Sequence, residues 1–178
     1  VSKPAVRVEI PSGSQASFYC GVPLWVKIIA GSEAKPRPLT TVPVWPLSRT
    51  WFGTPLDGEA CYAATTQAMR DYHQFSKYGY RVLCPVTIIN RSPESLPFER
   101  ICMRVRHLKL FQGADYLWSN EIRITKTDPQ EVSQVTYGKS APAIEPTAVQ
   151  ICPAQEKVTA GGLLLRTFRS FHRTREIS

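Results

Sequence analysis

Proline sets the frame of this sequence. Fifteen prolines are scattered over 178 residues, and a proline inside a helix removes a hydrogen bond and costs ~3 kcal/mol. Only three stretches are both proline-free and long enough to test for a helix: 56–84, 98–128 and 154–178. Within 115–126, Tyr116, Trp118, Ile122 and Ile124 fall at even positions, with Ser119, Glu121, Arg123 and Thr125 opposite. That is a period of two, the mark of a half-buried strand. Residues 99–105 alternate as well, Ile101, Met103 and Val105 against Arg100, Arg104 and Arg106. The apolar phase then slips to Leu108 and Leu110, which predicts a β-bulge near His107. Gln112-Gly113-Ala114 supplies a hairpin turn.

The flanking segments repeat the pattern. Residues 80–89 put Tyr80, Val82, Cys84, Val86 and Ile88 on one face. Pro85 cannot donate to a ladder, so this strand is expected at an edge or with a bulge. A turn-rich loop follows from Asn90 to Pro97. The run 60–72 reads as a strand turning through 76–79 to pair directly with 80–89. Its alternative is a helix with Ala60, Ala64, Gln67, Ala68 and Tyr72 on one face. Val6, Val8 and Ile10 alternate, 17–20, 24–29 and 131–137 read as short strands, and Lys35-Pro36-Arg37-Pro38 as extended and exposed. Residues 139–153 read as a proline-punctuated connector. Short strands with frequent turns indicate an all-β domain, an antiparallel β-sandwich of Ig-like or jelly-roll-like type, over residues 1–160.

Residues 161–178 differ. Leu164, Leu165, Phe168 and Phe171 recur at helical spacing with Arg166, Arg169 and Arg173 around them, which predicts a short amphipathic basic helix. Gly161-Gly162 reads as a flexible hinge before it. With Arg175 and against Glu176, this tail carries +3 of the chain's +8 net charge. A chain this basic is expected to meet something anionic. The tail is the expected docking element, with Leu164, Leu165, Arg166, Phe168, Arg169, Phe171 and Arg173 contacting an anionic membrane surface or an acidic partner. The rival is that the same apolar face packs back on the sandwich.

Catalytic signatures are sparse. His73, His107 and His172 are far apart, with no metal-ligand spacing. No nucleophile elbow or phosphate loop occurs, and Asp57-Gly58-Glu59 reads as a turn entering a strand. The expectation is a non-enzymatic domain with no cofactor or metal. Five cysteines, Cys20, Cys61, Cys84, Cys102 and Cys152, include no C-x-x-C pair and read as buried thiols of a reducing compartment. With no apolar signal core near the N-terminus, the expected location is cytoplasmic, peripheral to a membrane. Asn90-Arg91-Ser92 fits the glycosylation sequon but reads as a turn.

Two further surfaces are candidates. Trp45 and Trp51 share a parity and form either a ligand-stacking platform for carbohydrate or another planar ligand, or sandwich core. Arg100, Arg104 and Arg106 line one predicted strand face, either an anion-binding stripe or a solvated sheet surface. Nucleic acid is the least favoured partner, because no named nucleic-acid motif accompanies the stripe.

Four motifs in order, Trp51-Phe52-Gly53, Gly58-Glu59-Ala60-Cys61-Tyr62, Cys84-Pro85-Val86-Thr87-Ile88-Ile89-Asn90-Arg91-Ser92 and Leu117-Trp118-Ser119-Asn120-Glu121, carry a resemblance. The chain resembles a prokaryotic family of unknown function, some members of which are encoded near small mechanosensitive channels. The resemblance spans about Cys20 to Phe171. It implies a prokaryotic, cytoplasmic, non-enzymatic protein with a membrane channel as a candidate partner, and it brings no catalytic residue.

Overall fold

The computed structural model describes residues 1–32, 34–46, 49–52, 55–56, 58–62, 67–77, 80–127, 132–157 and 162–166. The described strands are, in order, β1 (Lys3–Pro4), β2 (Val8–Ile10), β3 (Gln15–Pro23), β4 (Trp25–Ala30), β5 (Arg37–Pro43), β6 (Arg49–Phe52), β7 (Glu59–Tyr62) and β8 (Gln67–Met69), then β9 (Arg81–Asn90), β10 (Leu96–Phe98), β11 (Leu110–Gln112), β12 (Leu117–Ser119), β13 (Ile122–Lys126), β14 (Val132–Tyr137), β15 (Val149–Cys152) and β16 (Leu163–Arg166). Helix among the described residues is limited to two 3-10 turns, Tyr72–Gln74 and Val105–His107. The all-β expectation holds. No described helix is long and apolar enough to cross a membrane.

The ten-residue strand β9 organises the molecule. β3 pairs with it antiparallel from Gln15↔Ile89 to Pro23↔Arg81, and β8 and β1 extend that side. The other side is shared. β12 runs parallel to β9 at Val82–Leu83, and β13 runs parallel to it from Val86 to Asn90. Two arms therefore leave β9, one through β12, β11 and β15, the other through β13, β14 and β16. The sheet is mixed rather than wholly antiparallel. The same branching corrects the expectation from Pro85. β9 is central, and Pro85 is tolerated because it falls in the gap where the partner changes from β12 to β13, so the missing N–H interrupts no ladder on that side.

Alternation in β9 was legible and decides the packing. Val82, Cys84, Val86, Ile88 and Asn90 are all buried. Cys84, Val86 and Ile88 join Phe18, Cys20, Ile122, Ile124 and Val135 in the larger core, closed by Ile10, Leu96 and Phe98 of the β2–β10 pair. Leu83 points the other way, into a second core with Phe75, Phe111, Tyr116 and Trp118. Apolar clusters on both faces of one sheet give the sandwich-like layering. The 115–126 run is divided, since Asn120 and Glu121 separate β12 from β13; its even positions are buried, but Tyr116 and Trp118 enter the second core and Ile122 and Ile124 the larger one, so the single buried face expected of one strand is corrected. The β11–β12 hairpin forms around Gly113 as expected. The 139–153 connector ends in a strand, β15, that extends the β11 edge.

Asn90 closes β9. Its Nδ2 donates to the Ile10 carbonyl at 2.9 Å and the Glu94 carbonyl at 2.7 Å, and its Oδ1 accepts from Ser92 N at 3.0 Å and Ser92 Oγ at 2.6 Å. The sequon residue is thus a buried turn-former with every hydrogen-bonding position of its amide occupied.

Other expectations are corrected. The strand reading holds within 60–72 for β7 and β8, yet β8 pairs with β3 and β1 rather than directly with β9, because the longer β3 occupies that edge. Residues 99–105 form no strand. Ile101 makes an isolated bridge to Ser2, and Ile101 and Cys102 are both buried, which a half-buried strand does not allow. In place of a bulge at His107 there is a 3-10 turn. Finally, Leu163–Arg166 is a strand paired with β14, not the start of a helix. Gly162 enters it at φ +76, and a Cβ there would lie 2.6 Å from the Val135 carbonyl oxygen. Close backbone approach to β14, rather than a flexible hinge, requires this glycine.

Candidate docking surface

Between β3 and β8 the chain leaves the main sheet and builds two separate hairpins, β4–β5 and β6–β7. The first begins where Leu24 N donates to the Tyr80 carbonyl at 3.0 Å and closes where Val44 N donates to the Leu24 carbonyl at 3.1 Å. From there it stands away from the body. Every residue of β4, and every residue of β5 except Pro43, is exposed. Val26 faces Val42 and Ile28 faces Thr40, with a register shift between Ile28 and Ile29. Trp25, Val26, Ile28, Ile29, Leu39 and Val42 are exposed large apolar side chains. They occupy both faces, because Trp25 and Ile29 alternate with Val26 and Ile28. Lys27, Lys35 and Arg37 are exposed beside them. A two-stranded hairpin is marginal in water, and an exposed apolar patch on this scale is a candidate interaction site.

The predicted tryptophan pair lies in and below this insert. Trp45 is 41% and Trp51 48% exposed, so neither is sandwich core. Trp45 stacks on Tyr80 with ring centroids 6.3 Å apart and 18° between planes. The Arg81 guanidinium lies 5.8 Å from the Trp45 centroid. Much of that indole face is thereby engaged within the chain. Trp51 sits on β6 beside Phe52, which is buried and anchors the second hairpin.

A cleft opens nearby beside the second core. One part, of about 330 Å³, is lined by Tyr72, His73, Tyr116, Trp118 and Glu145; the adjoining part, of about 170 Å³, includes Phe75 and Arg81, and both share Lys77 and Asp115. Several of its ionisable groups have partners, whereas the buried Nε of Arg81 has no hydrogen-bond partner among the described residues. Glu145 accepts from Ala114 N at 2.6 Å and from Trp118 Nε1, pinning the 139–153 connector over the β11–β12 turn. Lys77 Nζ and Asp115 Oδ2 are 2.8 Å apart. Asp71 accepts from the backbone N–H of His73 and lies 2.8 Å from its Nδ1; these bonds hold its carboxyl below the usual carboxylate range. The cleft offers aromatic walls, and Glu145, Lys77 and Asp115 serve to hold the loops together.

The arginine stripe is dispersed. Arg100 and Arg104 flank the Ile101 bridge, and Arg106 lies in the 3-10 turn, where it pairs with Glu156 at 2.9 Å. The Glu156 backbone N–H donates to the Arg106 carbonyl at 3.0 Å, so this region clamps the chain segment before β16. His107, packed 5.2 Å from the Tyr137 ring, belongs to the same clamp. Leu164, Leu165 and Arg166 lie in β16; Phe168, Arg169, Phe171 and Arg173 lie outside the described residues. Among the described residues no group of three or more His, Cys, Asp or Glu is placed to hold a metal ion.

None of the exposed apolar residues of β4–β5 was named as a candidate from the sequence. A signal was present. Trp25-Val26-Lys27-Ile28-Ile29-Ala30 is apolar at nearly every position, and such a run normally indicates a strand buried on both faces. Here the same run is exposed on both faces.

Comparison with known families finds a match over residues 1–172 to a model described as "Protein of unknown function (DUF432)". No curated protein and no solved structure matches.

Proposed function

The chain belongs to the DUF432 family, whose description assigns no activity, and we propose that it is a non-enzymatic docking domain that binds an anionic membrane surface through the β4–β5 hairpin. The observation that carries this reading is six large apolar side chains exposed on both faces of one hairpin, flanked by Lys27, Lys35 and Arg37. Lipid can surround a hairpin on both faces, whereas a rigid protein groove usually covers one. A second copy of the chain would bring another +8 of charge and is opposed by repulsion. Burying a wholly exposed large apolar side chain yields roughly 1.5–3 kcal/mol, so six that are about half exposed supply about 6. Three cations near anionic lipid add about 1 kcal/mol each. Set against the cost of association, this supports reversible surface binding. A membrane channel as candidate partner, which the motif resemblance implies, fits such a role.

Co-sedimentation with vesicles tests it. Binding is expected to phosphatidylglycerol-containing vesicles and to weaken with salt, with Ile28→Asp abolishing it while circular dichroism stays unchanged. A folded protein that ignores anionic vesicles refutes the reading; capture of acidic proteins by that same protein would favour the protein-partner alternative. Exposure of Trp45 and Trp51 supports a second reading, a carbohydrate- or small-ligand-binding module. It expects a soluble planar or sugar ligand to quench tryptophan fluorescence and Trp51→Ala to remove the effect.

A further inference from the structure

The second hairpin meets the body at a pair of thiols. Cys61 Sγ, on β7, lies 3.6 Å from Cys102 Sγ, in the irregular segment after the Ile101 bridge. The two come from elements that share no ladder, and 41 residues separate them in sequence. All five cysteines are in the thiol form, yet they are not equivalent. Cys20 and Cys84 also face each other across β3 and β9, but both are wholly buried. Cys152 is exposed, on the edge strand β15. Only Cys61 and Cys102 combine sulfur contact with partial exposure of one member: Cys61 is half-buried and Cys102 buried.

We infer that Cys61 and Cys102 are a modification site, a dithiol that closes to a reversible disulfide and staples the β6–β7 hairpin to the body. The chemistry balances with a small disulfide such as oxidised glutathione as the oxidant. The Cys61 thiolate attacks one glutathione sulfur, forming a mixed disulfide and expelling one glutathione thiolate. Cys102 then loses its proton and attacks the Cys61 sulfur, expelling the second glutathione. Two protein thiols are oxidised, and one small disulfide is reduced to two thiols. Access dictates the order, because the oxidant reaches the half-buried sulfur first. Burial pushes the Cys102 thiol up, and that cause persists in the mixed disulfide, so ring closure is the slow step and accelerates as pH rises. Phe52 is the buried anchor on the other strand of this hairpin; the staple adds a covalent one on β7. The inference stands apart from membrane docking, and vesicle binding can fail without affecting it.

The test uses the full chain carrying Cys152→Ser, which removes the exposed competitor. Reduced protein is exposed to oxidised glutathione and examined by intact mass, peptide mapping and thermal melting. The expected product is lighter by two hydrogen atoms, holds no glutathione and maps as a Cys61–Cys102 crosslink. Its melting midpoint should rise on the order of 10 °C, as closing a 41-residue loop in a chain of this size implies. Dithiothreitol should reverse both changes. Adding Cys61→Ser, at a half-buried position, should leave a folded protein that shows neither change. A stable glutathione adduct on Cys61 without ring closure, or a crosslink of Cys20 to Cys84, overturns the assignment.

Discussion

Asn90 is where a single side chain should matter most. It is fully buried at the end of β9, and its amide joins three elements: β2 through the Ile10 carbonyl, the turn through Ser92, and the approach to β10 through the Glu94 carbonyl. Asn90→Ala removes all four bonds. The Glu94 carbonyl keeps Ser92 Oγ as a donor at 3.0 Å, so its loss is small. The Ile10 carbonyl loses a donor, at about 1 kcal/mol, and the Ser92 N–H loses its acceptor inside the core, at roughly 1–3 kcal/mol. The sum is about 3 kcal/mol, or a fall in melting temperature of about 10 °C for a chain of this size. Equilibrium urea unfolding followed by circular dichroism reads it, with an unchanged m-value showing that the native surface is intact. Asn90→Asp separates polarity from shape. It preserves the acceptor for Ser92 but turns a bare carboxylate oxygen toward two carbonyls, so burial and repulsion raise its pKa in the folded state. A raised folded pKa means stability that is present below the unfolded value and lost as pH rises through the folded one. Asn90→Asp should therefore be worse than Asn90→Ala at neutral pH and recover on acidification. A loss below about 1 kcal/mol for Asn90→Ala would refute the reasoning, because the turn would then be satisfying its buried groups by another route.

Three other tests probe the C-terminal strand and the core thiols. Gly162→Ala should destabilise by about 2 kcal/mol or more in thermal melts, since the added Cβ meets the Val135 carbonyl at a positive φ; an unaffected protein would mean that β16 does not dock on β14. Burial pushes the Cys20 thiol up to about 11 and raises Cys84 further, so stability should be intact below the ordinary thiol range and fall as pH climbs through it toward the folded values. A maleimide applied near neutrality to the reduced protein should label Cys152 at once and Cys20 and Cys84 only after unfolding, counted by intact mass.

The alternation of β9, β12 and β13 was visible in the sequence because side-chain direction in a strand is a local property. Two neighbours on the chain must point to opposite faces, whatever the strand pairs with. Across 115–126 that locality fails at the break: Tyr116 and Trp118 face the second core while Ile122 and Ile124 face the larger one, so the even positions are buried but not on one face. Pairing is not local. Pro85 argued for an edge or a bulge, and only the handover from β12 to β13 provides a central strand with a place for a residue that cannot donate. The arginines at 100, 104 and 106 alternated convincingly, yet Ser2 reaches Ile101 from the far end of the chain and Cys102 is buried beside it.

The β4–β5 hairpin shows the limit most clearly. Hydrophobicity told which residues avoid water, not whether this chain supplies their cover. Trp25 to Ala30 reads as an interior strand, and within the described structure its two faces remain exposed, because the insert leaves the sheet after β3 and finds no layer to pack against. Leu163–Arg166 is the converse: its spacing fitted a helix, but β14 presented an open edge, and the ladder hydrogen bonds with it chose the strand. By itself the sequence determined an all-β chain, the buried parity of its main strands and a basic charge. Which strands meet, which apolar run stays uncovered and which thiols touch were decided by the tertiary structure, since each depends on residues tens of positions apart brought together only when the whole sheet closes.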